Sequence, residues 1–237
     1  MLLEDAIKTQ AINLLPNECC GFIILDHRTK KARTYPCDNI AESPRVEFAI
    51  DTKKFIEAEK EGEIIGYYHS HTLVDEQFSE ADKVNAEALA LPMWVYSTWT
   101  NKFNFYTPSN YKTPLLGRVF QWGILDCWTL VVDYYKQTLN ITLENNWLRN
   151  SHLDVEQHDY FTKNYENVGL VAHTEELKEH DVLFMKCNSK IVNHCGVYLG
   201  NQILLHHPGY KLSQRTLYGS YWKKITHLKL RHKNLIK

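Results

Sequence analysis

Apolar and polar positions recur along this chain with two periods, and the switches between them divide it into elements. Leu2, Leu3, Ala6, Ile7, Ala11, Ile12, Leu14 and Leu15 return at near-helical intervals until Pro16 closes the pattern, which predicts an amphipathic helix over residues 2–15. Strand-like runs at 20–25 and 31–36 flank Asp26-His27-Arg28-Thr29, a polar connection of hairpin length. Val46 to Ile50 alternates as a further strand, and Asp51 begins a helix that runs to about Glu61, before Gly62. Glu63-Ile64-Ile65-Gly66-Tyr67-Tyr68 reads as a buried strand ending at His69-Ser70-His71. Ser79, with an acid three residues on at Asp82, is a helix-start signature ahead of a periodic stretch to Leu91. Two more strands follow at 93–98 and 102–106. Helices mixed with mostly sequential strands predict an α/β or α+β sandwich around one sheet.

Pro108-Ser109-Asn110-Tyr111-Lys112-Thr113-Pro114 interrupts the pattern with two prolines and polar filler, which places a domain boundary there. The expected division is a first domain over 1–107, a linker over 108–117 and a second domain over 118–237. In the second, Trp128, Leu130, Val131, Tyr134 and Tyr135 stand at helical spacing, with Asp126 placed as the N-cap and Cys127 at the helix start. A strand over 181–185 precedes His194, which opens the strand-like Cys195-Gly196-Val197-Tyr198-Leu199. A turn at Gly200-Asn201-Gln202 leads back along a second strand ending at His206. His207 is expected to face away from His206 if that strand continues. Residues 140–180 are polar and aromatic with poor periodicity, and Lys223 to Lys237 reads as a solvated strand and tail.

At 237 residues the chain has room for two cores. Acids and bases nearly cancel, 28 against 27, which argues against a nucleic-acid surface. The N-terminal residues lack the cationic start and apolar core of a secretory signal, and no window approaches the ~20 apolar residues of a membrane span. Synthesis and folding in the cytosol are therefore expected. Six cysteines show no Cys-x-x-Cys spacing, and reduced thiols are the expectation. Cys19, beside Glu18, reads as a small buried hydrophobe at a strand start.

Two sets of residues carry chemistry. Alternation along a strand puts His69 and His71 on one side and Ser70 on the other, and Asp82 lies in the first turn of the next helix. Two imidazoles and a carboxylate are the three protein ligands of a catalytic zinc site, which leaves one position for water. Glu18 is the candidate base for that water. Either half of the pattern alone also describes core packing or an ordinary helix cap. In the second domain, Cys127 sits where a helix N-terminus favours thiolate over thiol. A hairpin would bring His194 and His206 side by side as base and orienting partner of a generalised triad; a buried filler cysteine is the alternative.

His69, His71, Ser79 and Asp82 at this spacing, with Glu18 upstream of Cys20-Gly21-Phe22-Ile23-Ile24-Leu25, resemble the JAMM (MPN-type) metallopeptidase motif over about residues 1–107. The resemblance implies that His69, His71 and Asp82 hold Zn2+, that Glu18 is the general base and that Ser79 steadies the oxyanion. The Asp126-Cys127 helix start, the 181–185 strand and the His194 hairpin resemble NlpC-type cysteine peptidases with a papain-like core. There Cys127, His194 and His206 match the catalytic cysteine, base and orienting position. Trp128-Thr129 stands where that family usually has Ser-Gly, and Phe120 or Gln121 where it has a tyrosine. The combination, and the phrase from Phe120 to Tyr135, resemble the tail tip assembly protein K family of lambda-like long-tailed phages. That implies an α+β protein, a JAMM/MPN-like sandwich followed by a papain-like domain. It further implies two hydrolase activities, one zinc-dependent on peptide or isopeptide bonds and one on peptidoglycan stem peptides. Other tail tip proteins are the implied partners, with host cytoplasm during assembly and the virion tail tip as locations. The alternative is a structural assembly factor whose peptidase sites are vestigial. A cellular JAMM isopeptidase acting on modifier proteins would leave the second half unexplained.

Overall fold

The computed structural model describes residues 2–144 and 157–236. The chain forms two compact units, Met1–Tyr111 and Lys112–Lys237, and the fold is α+β.

In the first unit a five-stranded sheet has the order β2-β1-β3-β4-β5, built from β1 (Cys20–Asp26), β2 (Ala32–Cys37), β3 (Gly62–His71), β4 (Met93–Ser97) and β5 (Lys102–Tyr106). All neighbours are antiparallel except β3 and β4. Strand periodicity sends alternate side chains to two cores. Phe22, Tyr67 and Val95 pack with Ala58 of α2 (Thr52–Glu61) and Ala86 of α3 (Glu80–Leu89), while Ile23, Tyr68 and Tyr96 pack with Ile7 and Ala11 of α1 (Leu3–Leu14). Helices on both faces make the expected sandwich. His69 and His71 share the parity of Tyr67 and therefore the α2/α3 face; Ser70 shares that of Tyr68.

Val46–Ile50 is not a strand. Its backbone is bonded within its own loop: Asn39 Nδ2 donates to the Glu47 carbonyl (2.9 Å), the Ala49 amide donates to Asn39 Oδ1 (3.1 Å), and the Ile40 amide donates to the Ala49 carbonyl (2.9 Å). The alternation that suggested a strand reflects burial alone, since Phe48 and Ile50 pack against the α2/α3 core.

The second unit has a six-stranded antiparallel sheet, ordered β10-β9-β8-β7-β11-β6. Its strands are β6 (Leu170–His173), β7 (Val182–Met185), β8 (His194–Tyr198), β9 (Ile203–His206), β10 (Gln214–Leu217) and β11 (Thr226–His232). One face is covered by α4 (Cys127–Tyr134), continued by a π-helical turn Tyr135–Leu139, and by Phe161 of α5 (Tyr160–Asn164). Trp222 of α6 (Ser220–Ile225) packs on the other face against Leu183, Met185 and Leu204. Arg118 is buried and fastens the start of this unit: its guanidinium bonds Asp133 (2.7 Å) and the Thr113 carbonyl (3.1 Å).

The C-terminal strand is solvated only in part: His227 and the tail from Lys233 to Ile236 are largely exposed, whereas the end of the strand is buried. β11 lies between β7 and β6, with Leu230, Arg231 and His232 buried. Arg231 is tolerated there because its guanidinium makes a two-pronged pair with Asp181 at 2.8 and 2.9 Å. Residues 140–180 contain α5 and β6, which the sequence pattern did not reveal; 145–156 within that stretch lie outside the described residues. β9 stops at His206, so the strand that would have turned His207 away ends first, and His207 is buried beside Phe120 at a ring separation of 5.0 Å.

Candidate functional site

The first site lies at the C-terminal end of β3, on the face toward α3. Ser79 caps α3 as the sequence signature requires: its Oγ accepts from the Asp82 amide (3.0 Å), and its own amide donates to Asp82 Oδ2 (2.8 Å). This reciprocal pair fixes the Asp82 carboxylate. His69 Nε2 lies 3.2 Å from His71 Nε2 and 3.3 Å from Asp82 Oδ1, and His71 Nε2 lies 3.6 Å from Asp82 Oδ2. A four-coordinate ion with bonds of about 2.0–2.1 Å holds its ligand atoms about 3.3 Å apart, so two imidazoles and a carboxylate gathered within 4.8 Å of one another are a donor set that suits zinc. His71 Nδ1 stands 2.6 Å from the Asp75 carbonyl, which takes its N–H and leaves the Nε2 lone pair facing inward. Phe48 stacks on His69, with ring centroids 4.3 Å apart. Burial pushes the His69 imidazole down to about 4, so it is neutral and able to ligate at ordinary pH.

Glu18 reaches this site through sheet register. Cys20 pairs with His69, so continuing two residues along the antiparallel strands sets Glu18 opposite His71. Its backbone is held on both sides: the Glu18 amide donates to the Pro44 carbonyl (2.7 Å), and Asn39 Nδ2 donates to the Glu18 carbonyl (3.1 Å). Ser70, facing away from the imidazoles, accepts the Cys19 amide at 2.8 Å and anchors the same segment. Burial raises the Glu18 carboxyl to about 8; nearby His71 acts in the opposite direction, and Asp82 and Glu47 add to the rise. A carboxyl poised near neutrality can both take and return a proton.

The second site is built on the N-terminus of α4. Asp126 Oδ1 accepts the Trp128 and Thr129 amides (3.0 and 2.9 Å), its Oδ2 accepts the Gly123 amide (3.0 Å), and Thr129 Oγ1 accepts the Asp126 amide (2.8 Å). Thr129 thus closes a capping box with Asp126, which gives it a structural reason to stand after the cysteine. Cys127 is held well below the ordinary thiol range, at about 5: the Cys195 thiol contributes most and His194 next, against the opposing effect of burial. His194 Nε2 lies 2.9 Å from His206 Nδ1. The register places Gly196, not His194, directly opposite His206, so the two imidazoles meet diagonally across the hairpin. Gly196 permits this, because a Cβ there would stand 2.6 Å from the Leu205 carbonyl and 2.9 Å from His206 Cβ. His206 Nε2 in turn lies 3.2 Å from Thr216 Oγ1. Trp222 covers the pair, its ring 4.5 Å from that of His206. Cys127 and His194 open on a cleft of about 330 Å³ walled by Phe120, Trp122 and Trp222, with Cys187 and Asn193 also lining it.

The structure therefore brings Glu18, Ser79, His69, His71 and Asp82 into one site, and Cys127, His194 and His206 into another. Phe48, Asp75, Ser70, Cys195, Thr216 and Trp222 were not singled out from sequence; their roles arise from packing between segments distant along the chain. His69, His71 and Asp82 form the group of potential ligands that comes together among the described residues, within 4.8 Å of one another.

Residues 3–108 match the prokaryotic homologues of the JAB domain, and residues 117–231 match the NlpC/P60 family. Tail tip assembly protein K of Escherichia phage N15 is 31% identical over 236 residues, 98% of this chain and 94% of that protein. Tail tip assembly protein K of Escherichia phage lambda is 31% identical over 185 residues, 76% of this chain and 87% of that protein. Among solved structures, a Desulfitobacterium hafniense protein is similar over 44% of this chain and 76% of its own, with 25% identity and a TM-score of 0.37.

Proposed function

Because the chain belongs to the tail tip assembly protein K family, we propose that it serves a phage tail tip with two hydrolytic sites. Residues 1–107 would form a zinc-dependent peptidase or isopeptidase and residues 118–237 a Cys–His endopeptidase for peptidoglycan stem peptides, with 108–117 joining them. It would act with other tail tip proteins, in the host cytoplasm during assembly and at the virion tail tip on contact with the wall. The observation that carries this reading is the geometry of the cysteine site: Cys127 starts α4 and shares a cleft with His194, which is itself 2.9 Å from a second histidine, His206.

In the second domain, His194 takes the Cys127 proton, and the sulfur attacks the carbonyl carbon of a γ-D-glutamyl bond. The Cys127 amide, first in α4, serves the developing oxyanion, since Asp126 already occupies the Trp128 and Thr129 amides. His194 protonates the leaving amine, then draws a proton from the water that hydrolyses the acyl-enzyme. His206 holds His194 in orientation throughout.

In the first domain, zinc held by His69, His71 and Asp82 would supply Lewis acidity and a lowered water pKa. Glu18 accepts the proton of the attacking water and passes it to the leaving amine. Ser79 Oγ accepts the Asp82 amide in the capping box and its side chain also bonds the Asp82 carboxylate, so it steadies the oxyanion by exchanging that second bond for one to the oxyanion. The target of this half is a peptide or isopeptide bond in a tail protein or a wall crosslink.

The test is hydrolysis of a synthetic stem peptide containing a γ-D-glutamyl-diaminoacid bond, with bound zinc measured in the same preparations. Cleavage at that bond, lost in Cys127→Ala and kept in His69→Ala/His71→Ala while only the latter loses zinc, is the expected result. No cleavage by protein that retains zinc and a reactive Cys127 would favour an assembly factor with a vestigial second site.

A further inference from the structure

His206 has two ring nitrogens and two partners, and only one arrangement of protons serves Cys127. Its Nδ1 faces His194 Nε2 at 2.9 Å, which leaves Nδ1 of His194 as the nitrogen available to the thiol. When Cys127 is thiolate and His194 imidazolium, both His194 nitrogens carry protons, so His206 Nδ1 must accept. A neutral His206 then carries its single proton on Nε2, and that N–H needs an acceptor. Thr216 Oγ1 is 3.2 Å away. Thr216 sits two residues along β10 from Gln214, the residue directly opposite His206, and so presents its side chain on the same sheet face.

We propose that Thr216 is a positioning residue of the cysteine site: by accepting the His206 Nε2–H it fixes the His206 tautomer and stabilises the Cys127 thiolate–His194 imidazolium pair. This rests on the reading of Cys127 as the nucleophile. The opposite arrangement, in which the Thr216 hydroxyl donates to His206, would put a proton on His206 Nδ1 facing the protonated His194 Nε2. Two N–H groups cannot share one hydrogen bond, so the ion pair selects Thr216 as acceptor.

The surroundings keep His206 neutral, as the arrangement requires. Burial is the main cause and pushes its imidazole down to about 3; His194 on β8, the adjacent His207 and Lys211 in the following loop all oppose a positive charge on it as well. Trp222 of α6 lies against both rings, 4.5 Å from His206 and 5.9 Å from His194, and limits water as a substitute acceptor. Removing the hydroxyl leaves the His206 N–H buried without its partner, a loss felt most in the charged state of the pair.

The experiment uses the whole protein and iodoacetamide, following alkylation of the Cys127 peptide by mass spectrometry from pH 4 to 10, which needs no substrate and so does not depend on what the protein cleaves. Thr216→Val should raise the midpoint of the Cys127 profile by about one pH unit and slow alkylation at low pH about tenfold. Thr216→Ser, which restores the hydroxyl, should match the native protein within about twofold. Should Thr216→Val lose its cooperative melting transition, Thr216→Ala is read in its place against the same serine variant. A native profile in the folded valine or alanine variant overturns the proposal, and so does a serine variant shifted as far as valine. Stem-peptide hydrolysis run alongside separates the two readings: a shifted thiol profile in a protein that cleaves nothing upholds the Thr216 role and counts against the proposed endopeptidase.

Discussion

Burial raises the Glu18 carboxyl and would raise the Cys127 thiol too, but the thiol's neighbours reverse it. Each shift has a consequence that can be measured. Glu18 has a folded pKa of about 8 against a model-peptide value of 4.5. Its protonated form therefore favours the folded state: that contribution is fully present below pH 4.5 and is lost as pH rises toward 8. In chelator-treated protein, Glu18→Gln should flatten the fall in melting temperature across this window, measured by calorimetry in parallel with the native chain. Cys127 behaves in the reverse sense: its Cys195 and His194 neighbours hold the thiol below its ordinary range and favour the thiolate. Replacing Cys195 by Ala, or His194 by Ala, should move the midpoint of Cys127 alkylation upward toward the ordinary thiol range; no movement in either variant would remove the basis for an activated nucleophile. His69, His71, Asp82, Cys127, His194 and His206 could be named from sequence because strand parity and helix-start chemistry are local properties of a few adjacent residues. Thr216, Cys195 and Phe48 could not, because each matters only through a contact set by tertiary packing.

Elements position these side chains through two devices. The first is the Asp126 cap, which satisfies three backbone amides at once. Asp126→Ala should lower the stability of the second unit by about 1–2 kcal/mol, read as a shifted denaturant midpoint, and should slow Cys127 alkylation by loosening the helix start. The second is the close approach of β8 and β9 at Gly196. A methyl group there meets backbone at 2.6 Å, so Gly196→Ala should cost about 1–3 kcal/mol and pull the two histidines apart. The reactivity of Cys127 should then fall beyond what the stability loss alone explains. The regular elements of the first unit were legible because their periods are strong and their ends are marked by Pro16, Asp51, Gly62 and Ser79. Val46–Ile50 misled because alternate burial can occur in a loop whose hydrogen bonds close on Asn39. β11 misled because Lys229, Arg231 and the lysines flanking the strand suggested solvent, although Arg231 is buried on Asp181. α5 and β6 are short and lack a clear period, so nothing local announced them.

The two units each have their own sheet and their own cores, and each carries one complete constellation. The chemistry of one should therefore survive loss of the other. Chelation, or His69→Ala/His71→Ala, should remove zinc and lower the melting temperature of the first unit while leaving the Cys127 alkylation profile unchanged. The measurement that bears most directly on the whole account is release of muropeptides from purified sacculi by the intact protein, compared with Cys127→Ala and with the double histidine variant. Release by the native protein and the histidine variant but not by Cys127→Ala is the predicted result. Undiminished release by Cys127→Ala, or none from a native protein whose Cys127 is already thiolate at neutral pH, would contradict it.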